Sequence, residues 1–434
     1  MLNEETLRLV SVISGLRGYM ARDNWYKVDN VAKVFLATAA KRDTRTLRVS
    51  CTLWEDIDPE LLQQAVESAI QLRPQFHVRI RRGIFWHYME DTDLQPIVEK
   101  EHGRVCPSLY HPGRMMLHYK VTYYHKRINL DLFHAISDGT GALEFLNIIV
   151  FDYLKLKYPD ELEELNIHSG ASYDDLNQDS YRQFFGNLSL KASALKVAYH
   201  PSGLKLPYDQ LQFFEIQVPT EDILPKAKEM GVGMTSYIGA KLMMAIKEDM
   251  PPRKKHMPIN VSMPVNLRNY YPSQTSRNFF NNVNVAHTFT EEISFEDLAK
   301  EFDGKLKESL TEENIKKQMD NFETMEYFIP VRAVPLFIKQ MVVRYGSKIM
   351  DKKVSVVLSN LGVQRPPEEL IPKIKNYNGF CSSSNLFVVM SSYNGKMTLG
   401  ISSPYSNTKV VKSFVRGLSE EGMKITAYAT EVIR

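Results

Sequence analysis

The sequence predicts an α/β protein built in layers, with two subdomains that each contain a mixed sheet flanked by helices. The chain has 434 residues, more than one hydrophobic core ordinarily supports, so two cores are expected. Alternating strand patterns and 3.6-residue helix patterns recur in both halves of the chain, which is typical of mixed layers. We predict a first subdomain at residues 1–165, a crossover or linker at 166–210 that is weakly periodic, and a second subdomain at 211–434.

The first half opens with a strand followed by a helix. Residues 46–54 alternate, and Asp58-Pro59 supplies a helix N-cap and a first-turn proline for a helix over 60–72. Residues 118–124 and 127–133 predict a hairpin that turns near residue 125. An amphipathic helix is expected over 143–154.

The second half repeats the strand–helix order and ends with strong strand signals. A strand over 211–218 precedes two helices, for which Thr220 and Thr235 are the expected N-caps. Asn394-Gly395 separates two apolar runs and is a strong hairpin signal. The remaining expected elements are a strand over 353–358 and a final helix over 409–421.

Composition limits the class of protein. The net charge is +3 with 54 basic and 51 acidic residues, so a dedicated nucleic-acid binder is not expected. The three widely spaced cysteines do not form a disulfide framework, and the first residues lack a signal-peptide pattern. With no apolar run long enough to span a membrane, we predict a cytoplasmic protein, expected to be a monomer.

His134 is the candidate catalytic residue. It shares strand parity with Ile128, Leu130 and Leu132 and stands where that strand gives way to Gly139 and Gly141. Imidazole titrates near neutrality and can remove a proton from an alcohol or amine. A core histidine with satisfied hydrogen bonds is the alternative interpretation of the same pattern.

Three motifs occur in one order along the chain. Residues 133–139 read Phe-His-Ala-Ile-Ser-Asp-Gly, residues 264–268 read Pro-Val-Asn-Leu-Arg before Arg-Asn-Phe-Phe-Asn-Asn at 277–282, and residues 359–362 read Ser-Asn-Leu-Gly. The first resembles the His-x-x-x-Asp-Gly motif of the chloramphenicol-acetyltransferase-like superfamily, and the others resemble later elements of its families. The resemblance covers the chain from about residue 30 and is nearest to bacterial alcohol acetyltransferases.

The resemblance implies an acyltransferase that moves an acetyl or other short acyl group to an alcohol, as in secondary metabolism. His134 would be the general base, Asp138 would form a structural bridge with Arg268, and Gly139 would let the loop approach the acyl carbon. Ser359 and Asn360 are candidate oxyanion donors. The two subdomains would face each other across a tunnel, with donor and acceptor entering from opposite sides.

The implied donor is acyl-CoA, used as a co-substrate, with no permanently bound cofactor. An acyl carrier protein as donor, an amine as acceptor and a non-catalytic relative of the same fold remain alternatives. Phe133 stands where condensation domains usually carry a second histidine, which favours ester formation over peptide condensation. The Asp-Phe-Gly-Trp-Gly motif of plant relatives is absent.

Other chemistries lack a sequence signal. No Gly-x-Ser-x-Gly, Walker or Gly-x-Gly-x-x-Gly motif occurs. Seven of the 11 histidines lie between His77 and His134, but none has the His-x-x-x-His spacing of a helical metal site. No metal is therefore expected.

Overall fold

The computed structural model describes residues 25–162, 165, 173–184, 195–207, 210–327 and 334–430. The predicted linker lies partly outside these residues. The described elements before residue 200 are β1 (Trp25–Lys27), α1 (Asn30–Thr38), β2 (Thr46–Leu53), α2 (Pro59–Leu72), β3 (Val78–Arg82), β4 (His87–Asp91), β5 (Glu99–Lys100), β6 (Tyr119–Tyr124), β7 (Arg127–Phe133), α3 (Gly139–Lys157), α4 (Pro159–Leu162), α5 (Tyr173–Asn177) and α6 (Ser180–Phe184).

The second part of the chain continues the mixed order of helices and strands. Its elements are β8 (Gln212–Pro219), α7 (Thr220–Glu229), α8 (Met234–Asp249), β9 (Ile259–Asn266), β10 (Phe280–His287), α9 (Phe295–Ser309), α10 (Glu312–Tyr327), α11 (Leu336–Asp351), β11 (Val356–Val363), β12 (Ile374–Cys381), β13 (Leu386–Tyr393), β14 (Lys396–Ser403), α12 (Lys409–Ser419) and β15 (Thr426–Ala429).

The strands form two large mixed sheets and one small antiparallel sheet. The five-stranded sheet has the order β12-β2-β7-β6-β5, the seven-stranded sheet β10-β9-β11-β13-β14-β8-β15, and the small sheet β1-β4-β3. In the large sheets β11 runs parallel to β9 and β13, and β5 runs parallel to β6. The predicted fold class, two halves of sheets with flanking helices, is confirmed.

Each large sheet has its own hydrophobic core. α2 and α3 pack against each other over the five-stranded sheet, where Leu62, Phe145 and Ile128 are fully buried. α8, α9 and α12 cover the seven-stranded sheet, with Tyr237 and Phe302 in its core.

β12 joins the first sheet although it belongs to the second part of the chain. It pairs with β2 in antiparallel register, for example Tyr377 opposite Cys51. The two large sheets are therefore linked through the chain of the second half. The predicted boundaries at 165/166 and 210/211 stay a prediction.

Three predicted helix starts are wrong by a few residues. α3 begins at Gly139 rather than residue 143, because the carboxylate of Asp138 accepts a hydrogen bond from the Gly141 amide and caps the helix. Thr220 is the first helical residue of α7 rather than its cap. α8 begins after Gly233 instead of after Thr235.

A distant carboxylate anchors the start of α8. Asp303 in α9 accepts hydrogen bonds from the Gly233 amide at 2.9 Å and the Ser236 hydroxyl at 2.7 Å. These bonds tie the beginning of α8 to α9, while the N-cap residue Gly233 makes no side-chain capping bond.

Candidate active site

His134 lies directly after β7, between the two sheets. Its backbone amide donates to the Arg45 carbonyl at 2.9 Å, which fixes the chain as it leaves the strand. The ring lies 4.3 Å, centroid to centroid, from Phe35 of α1 and 5.6 Å from Phe280 of β10. The half-buried imidazole is thus held between aromatic rings from both parts of the chain.

Asn278 holds the imidazole by a contact that crosses the molecule. Its Oδ1 lies 3.1 Å from His134 Nδ1, and its Nδ2 donates to the His134 carbonyl at 3.0 Å. Because the NH₂ end of the amide is turned to that carbonyl, Oδ1 faces the ring as an acceptor. Nδ1 therefore carries the hydrogen, and the lone pair of Nε2 has no hydrogen-bond partner among the described residues. Asn278 was quoted in a motif but was not predicted as a site residue.

The imidazole is tuned toward its neutral form. Burial lowers the pKa of His134 below its usual value, while the nearby carboxylate of Asp138 and the Asn278 hydrogen bond oppose the shift. Near pH 7 the ring is neutral, which is the state a general base requires.

Asp138 and Arg268 are in direct contact. Arg268 Nη1 lies 2.8 Å from Asp138 Oδ2, and both side chains are largely buried. The same carboxylate oxygen accepts the Phe279 amide at 2.9 Å, while the other oxygen caps α3. One carboxylate therefore joins the helix after the histidine motif to the loop that carries Asn278.

Arg268 also binds that loop through backbone carbonyls. Its Nη2 donates to Thr275 at 2.8 Å and to Arg277 at 2.7 Å, and its Nε donates to Thr275 at 3.0 Å. These bonds fix the backbone next to Asn278. The Asp138–Arg268 pair thus supports the residue that orients His134, although neither of its members touches the imidazole through a hydrogen bond.

The two glycines of the motif differ in their surroundings. A Cβ on Gly139 would lie 3.0 Å from the Leu361 side chain, at the wall of a cavity beside His134. A Cβ on Gly141 would lie 2.3 Å from the Ser276 carbonyl, a distance that carbon atoms cannot adopt. Gly141 is thus required for the loop to pack on α3, a role that the sequence did not distinguish from that of Gly139.

Ser359 and Asn360 both line the cavity beside His134, and they lie within β11 rather than after the strand as predicted. The amide of Asn360 is already used, since Nδ2 donates to Thr235 and Oδ1 accepts from Gly362. Within the described residues the Ser359 hydroxyl has no hydrogen bond, so it can donate to a bound group.

The cavity beside His134 has a volume of about 90 Å³ and walls from both parts of the chain. Asp138 and Gly139 contribute from the first part, and Asn266 and Ser359 from the second. Phe380 and Cys381 of β12 line its inner end. The site residues predicted in the first and second halves are thus brought together at one cavity, except that Arg268 lies behind its wall.

A larger cavity of about 790 Å³ lies on the other side of Phe380 and Cys381 of β12. It is lined by the cationic side chains of Lys41, Arg42 and Arg104 among others. Phe213 and Cys106 line this cavity and pack against Phe380 of the smaller one. A thin apolar cluster therefore separates the two cavities.

Burial makes the thiol at the site unreactive. Desolvation raises the pKa of Cys381 to about 12, so its sulfur stays protonated near neutral pH. Within the described ranges, no group of three or more His, Cys, Asp or Glu side chains has the arrangement of a metal site. In the same part of the chain, no helix is long and apolar enough to cross a membrane.

Comparisons with known proteins agree with this geometry. Residues 217–416 match the family model of alcohol acetyltransferase. No curated protein sequence matches the chain.

Solved structures share the fold over almost their whole length. A trichothecene 15-O-acetyltransferase from Fusarium sporotrichioides is 11% identical with a TM-score of 0.60. The match covers 91% of this chain and 94% of the acetyltransferase chain. The F. sporotrichioides protein TRI101, solved with coenzyme A and T-2, is 9% identical with a TM-score of 0.59. The match covers 92% of this chain and 99% of TRI101. The first condensation domain of the CDA synthetase is 12% identical with a TM-score of 0.59. The match covers 92% of this chain and 97% of that domain.

The resemblance to the chloramphenicol-acetyltransferase-like superfamily that the motifs predicted is confirmed by the family match and by the shared fold. Residues 217–416, in the second part of the chain, are similar to the alcohol acetyltransferases. These findings support acyl transfer as the class of chemistry.

Proposed function

We propose that the protein transfers an acyl group, acetyl or another short chain, from acyl-CoA to an alcohol, with His134 as general base. The observation that carries the proposal is the Asn278 contact. It holds Nδ1 of a neutral imidazole and leaves the Nε2 lone pair available beside the cavity. A core histidine with both nitrogens satisfied would not offer this lone pair.

The proposed reaction proceeds in two steps. His134 Nε2 takes the proton of the acceptor hydroxyl as its oxygen attacks the thioester carbonyl carbon, forming a C–O bond and a tetrahedral oxyanion. Collapse of that oxyanion breaks the C–S bond. The leaving thiolate takes the proton back from Nε2, so the enzyme returns to its starting state.

The hydroxyl of Ser359 is the proposed oxyanion donor. It lines the cavity and has no other hydrogen bond among the described residues, whereas the amide of Asn360 is engaged at both ends. A fixed donor near the developing negative charge lowers the barrier because it needs no reorientation during the reaction.

The cations of the larger cavity are proposed to bind the phosphates of the acyl donor. Lys41 and Arg104 are exposed at this cavity, and only Phe380 and its apolar neighbours separate it from the His134 cavity. Charge-assisted hydrogen bonds to phosphate are strong and selective for anions. The basic runs at residues 79–82 and 253–255 do not line either cavity.

A matrix of acyl-CoA donors and alcohol acceptors, followed by free-thiol release, tests the activity. The wild type should release thiol faster with an acceptor present. His134→Ala should lose about 10²- to 10⁴-fold of this rate, and His256→Ala, at an exposed histidine away from the cavity, should keep it. Full acceptor-dependent turnover by His134→Ala would exclude the mechanism.

A second panel separates free coenzyme A from a carrier protein as donor. Lys41→Glu with Arg104→Glu should raise KM for acyl-CoA roughly tenfold, and should leave KM for an acyl-pantetheine that lacks the nucleotide unchanged. Equal effects on both donors would contradict phosphate binding at the larger cavity.

A carrier-protein-dependent or amine-directed transferase is the second candidate, favoured by the similarity to a condensation domain. Preference for an acyl carrier protein or for amines in the same matrix would select it. Tight acyl-CoA binding with no turnover for any acceptor would instead indicate a non-catalytic relative.

A further inference from the structure

The helix α11 turns its apolar side to solvent. Phe337 is 55% exposed, Met341 and Val342 are each 64% exposed, and Tyr345 is 70% exposed. On the side facing the protein, Leu336 is the buried apolar residue. A surface helix normally has the opposite arrangement, with its apolar stripe against the core.

The exposed side chains form one stripe. At 100° per residue, positions 337, 341 and 345 follow one another along the helix, and positions 338, 342 and 349 lie beside them. All six lie within roughly 140° of the helix circumference. A continuous apolar stripe of this kind marks an interaction surface rather than scattered exposed residues.

The charges around the stripe are mainly basic. The helix carries Lys339, Arg344 and Lys348, its one acidic residue is the terminal Asp351, and Lys352 follows. Lys348 and Lys352 are exposed. Interfaces between proteins ordinarily have rims of both charges, whereas an apolar stripe with a basic border complements an anionic lipid surface.

The loop between β3 and β4 extends this surface at the start of the helix. The Leu336 amide donates to the Ile84 carbonyl at 3.0 Å, and Lys339 Nζ donates to the Phe85 carbonyl at 3.2 Å. Ile84 is 77% exposed and Phe85 is 43% exposed, and Arg82 precedes them. Two separate segments thus contribute apolar side chains with basic neighbours.

We propose that α11 and the β3–β4 loop form a peripheral membrane-binding surface, with the apolar stripe inserted at the interface of an anionic bilayer and the lysines against its headgroups. α11 also packs on α1, and Arg344 Nε, at the edge of the stripe next to Phe337, donates to the Ala37 carbonyl at 2.5 Å. Phe35 of α1 lies against His134. Docking would therefore bring the His134 site close to the membrane, where lipid-like alcohols are concentrated.

Vesicle flotation with the full chain tests the surface without any assay of activity. The wild type should float with vesicles of phosphatidylcholine and phosphatidylglycerol at least tenfold more than with phosphatidylcholine alone. The triple variant Phe337→Ser, Met341→Ser and Tyr345→Ser should lose binding, with an unchanged melting temperature because its side chains are exposed. Lys348→Glu with Lys352→Glu should lose the preference for the anionic vesicles.

Matched controls use exposed apolar residues elsewhere. Ile97→Ser and Leu204→Ser, at side chains that are 70% and 82% exposed, should float like the wild type. In the Tyr345→Trp variant, the fluorescence of the introduced tryptophan should be quenched by brominated lipids. Absence of flotation with either vesicle type, equal flotation of the triple variant, or a wild-type dimer that the triple variant converts to monomer would each overturn the proposal; the last would assign the stripe to a second copy of the chain.

Discussion

Asn278 contacts His134 at two atoms, and both contacts depend on how its amide is turned. Nδ2 bonds to the carbonyl of His134, and Oδ1 is left for the ring. The Asn278 side chain can therefore act as an orienting group for the proposed base, in the way that a carboxylate orients histidine in other acyl-transfer sites. An amide does so without adding a charge to the buried site.

Replacing Asn278 should weaken the base without removing it. Asn278→Ala is expected to lower kcat roughly tenfold, the value of one lost hydrogen bond, with little change in KM. Because that bond raises the pKa of His134, the acid limb of the pH–rate profile should move to lower pH. Asn282→Ala, at an exposed neighbouring asparagine, is the control. An unchanged profile together with a lowered melting temperature would assign Asn278 a structural role alone.

The pH dependence of the wild type should report His134 itself. Burial lowers the pKa of this imidazole below the usual value near 6.5, and the neutral form is the active one. The rate constant kcat/KM should therefore be constant near neutral pH and fall as pH drops through the lowered pKa. Initial rates between pH 4.5 and 8 measure this, with circular dichroism to confirm that the protein stays folded. An inflection above 6.5 would contradict the burial argument.

At the scale of elements, the end of β7, the start of α3 and the loop between β9 and β10 are held by one ion pair. Asp138 caps α3 and binds the Phe279 amide, and Arg268 binds the carbonyls of Thr275 and Arg277. This explains why a pair that does not contact the proposed base still belongs to the site.

Removing one member of the pair should destabilise the protein. Arg268→Ala leaves the Asp138 carboxylate buried without its cation, which costs about 3 kcal/mol in the free energy of unfolding. Urea unfolding measures the change, and Arg253→Ala, at an exposed arginine, is the control. Activity should fall as well because the Asn278 loop is released. Unchanged stability and activity would show that the ion pair is dispensable.

At the scale of the whole molecule, the two sheets are expected to unfold together. β12 reaches from the second part of the chain to pair with β2, and Ile374 and Tyr377 belong to the first core. The first core is not complete without these residues from the second part of the chain, so the first half is not expected to be stable by itself.

The positions of the tryptophans allow a direct test of this cooperativity. All three, Trp25, Trp54 and Trp86, lie in the first part of the chain, so their fluorescence follows that part and the segments of the second part that pack on it. Circular dichroism follows both parts. The two denaturant transitions should coincide in midpoint and slope, and a separate fluorescence transition would indicate independently stable halves.

Local patterns in the sequence identified the elements with the clearest periodicity or turn chemistry. The Asp58 cap, the hairpin of β6 and β7 and the Asn394-Gly395 hairpin follow from alternation and turn chemistry. Helix starts were less accurate where a contact with another element holds the first residues, as with Asp303 at the start of α8. α11 itself was not predicted from the sequence, and an apolar stripe does not by itself show which side of a helix faces the core.

The sequence by itself determined the fold class and the position of His134 at the end of a strand, because periodicity and turn residues act over a few neighbours. The pairing of Asp138 with Arg268 was implied by the family resemblance, and its geometry comes from the fold. Only the tertiary structure brought Asn278 to His134, across 144 residues, and β12 to β2. Such contacts depend on how whole layers pack, and no local pattern in the chain records that packing.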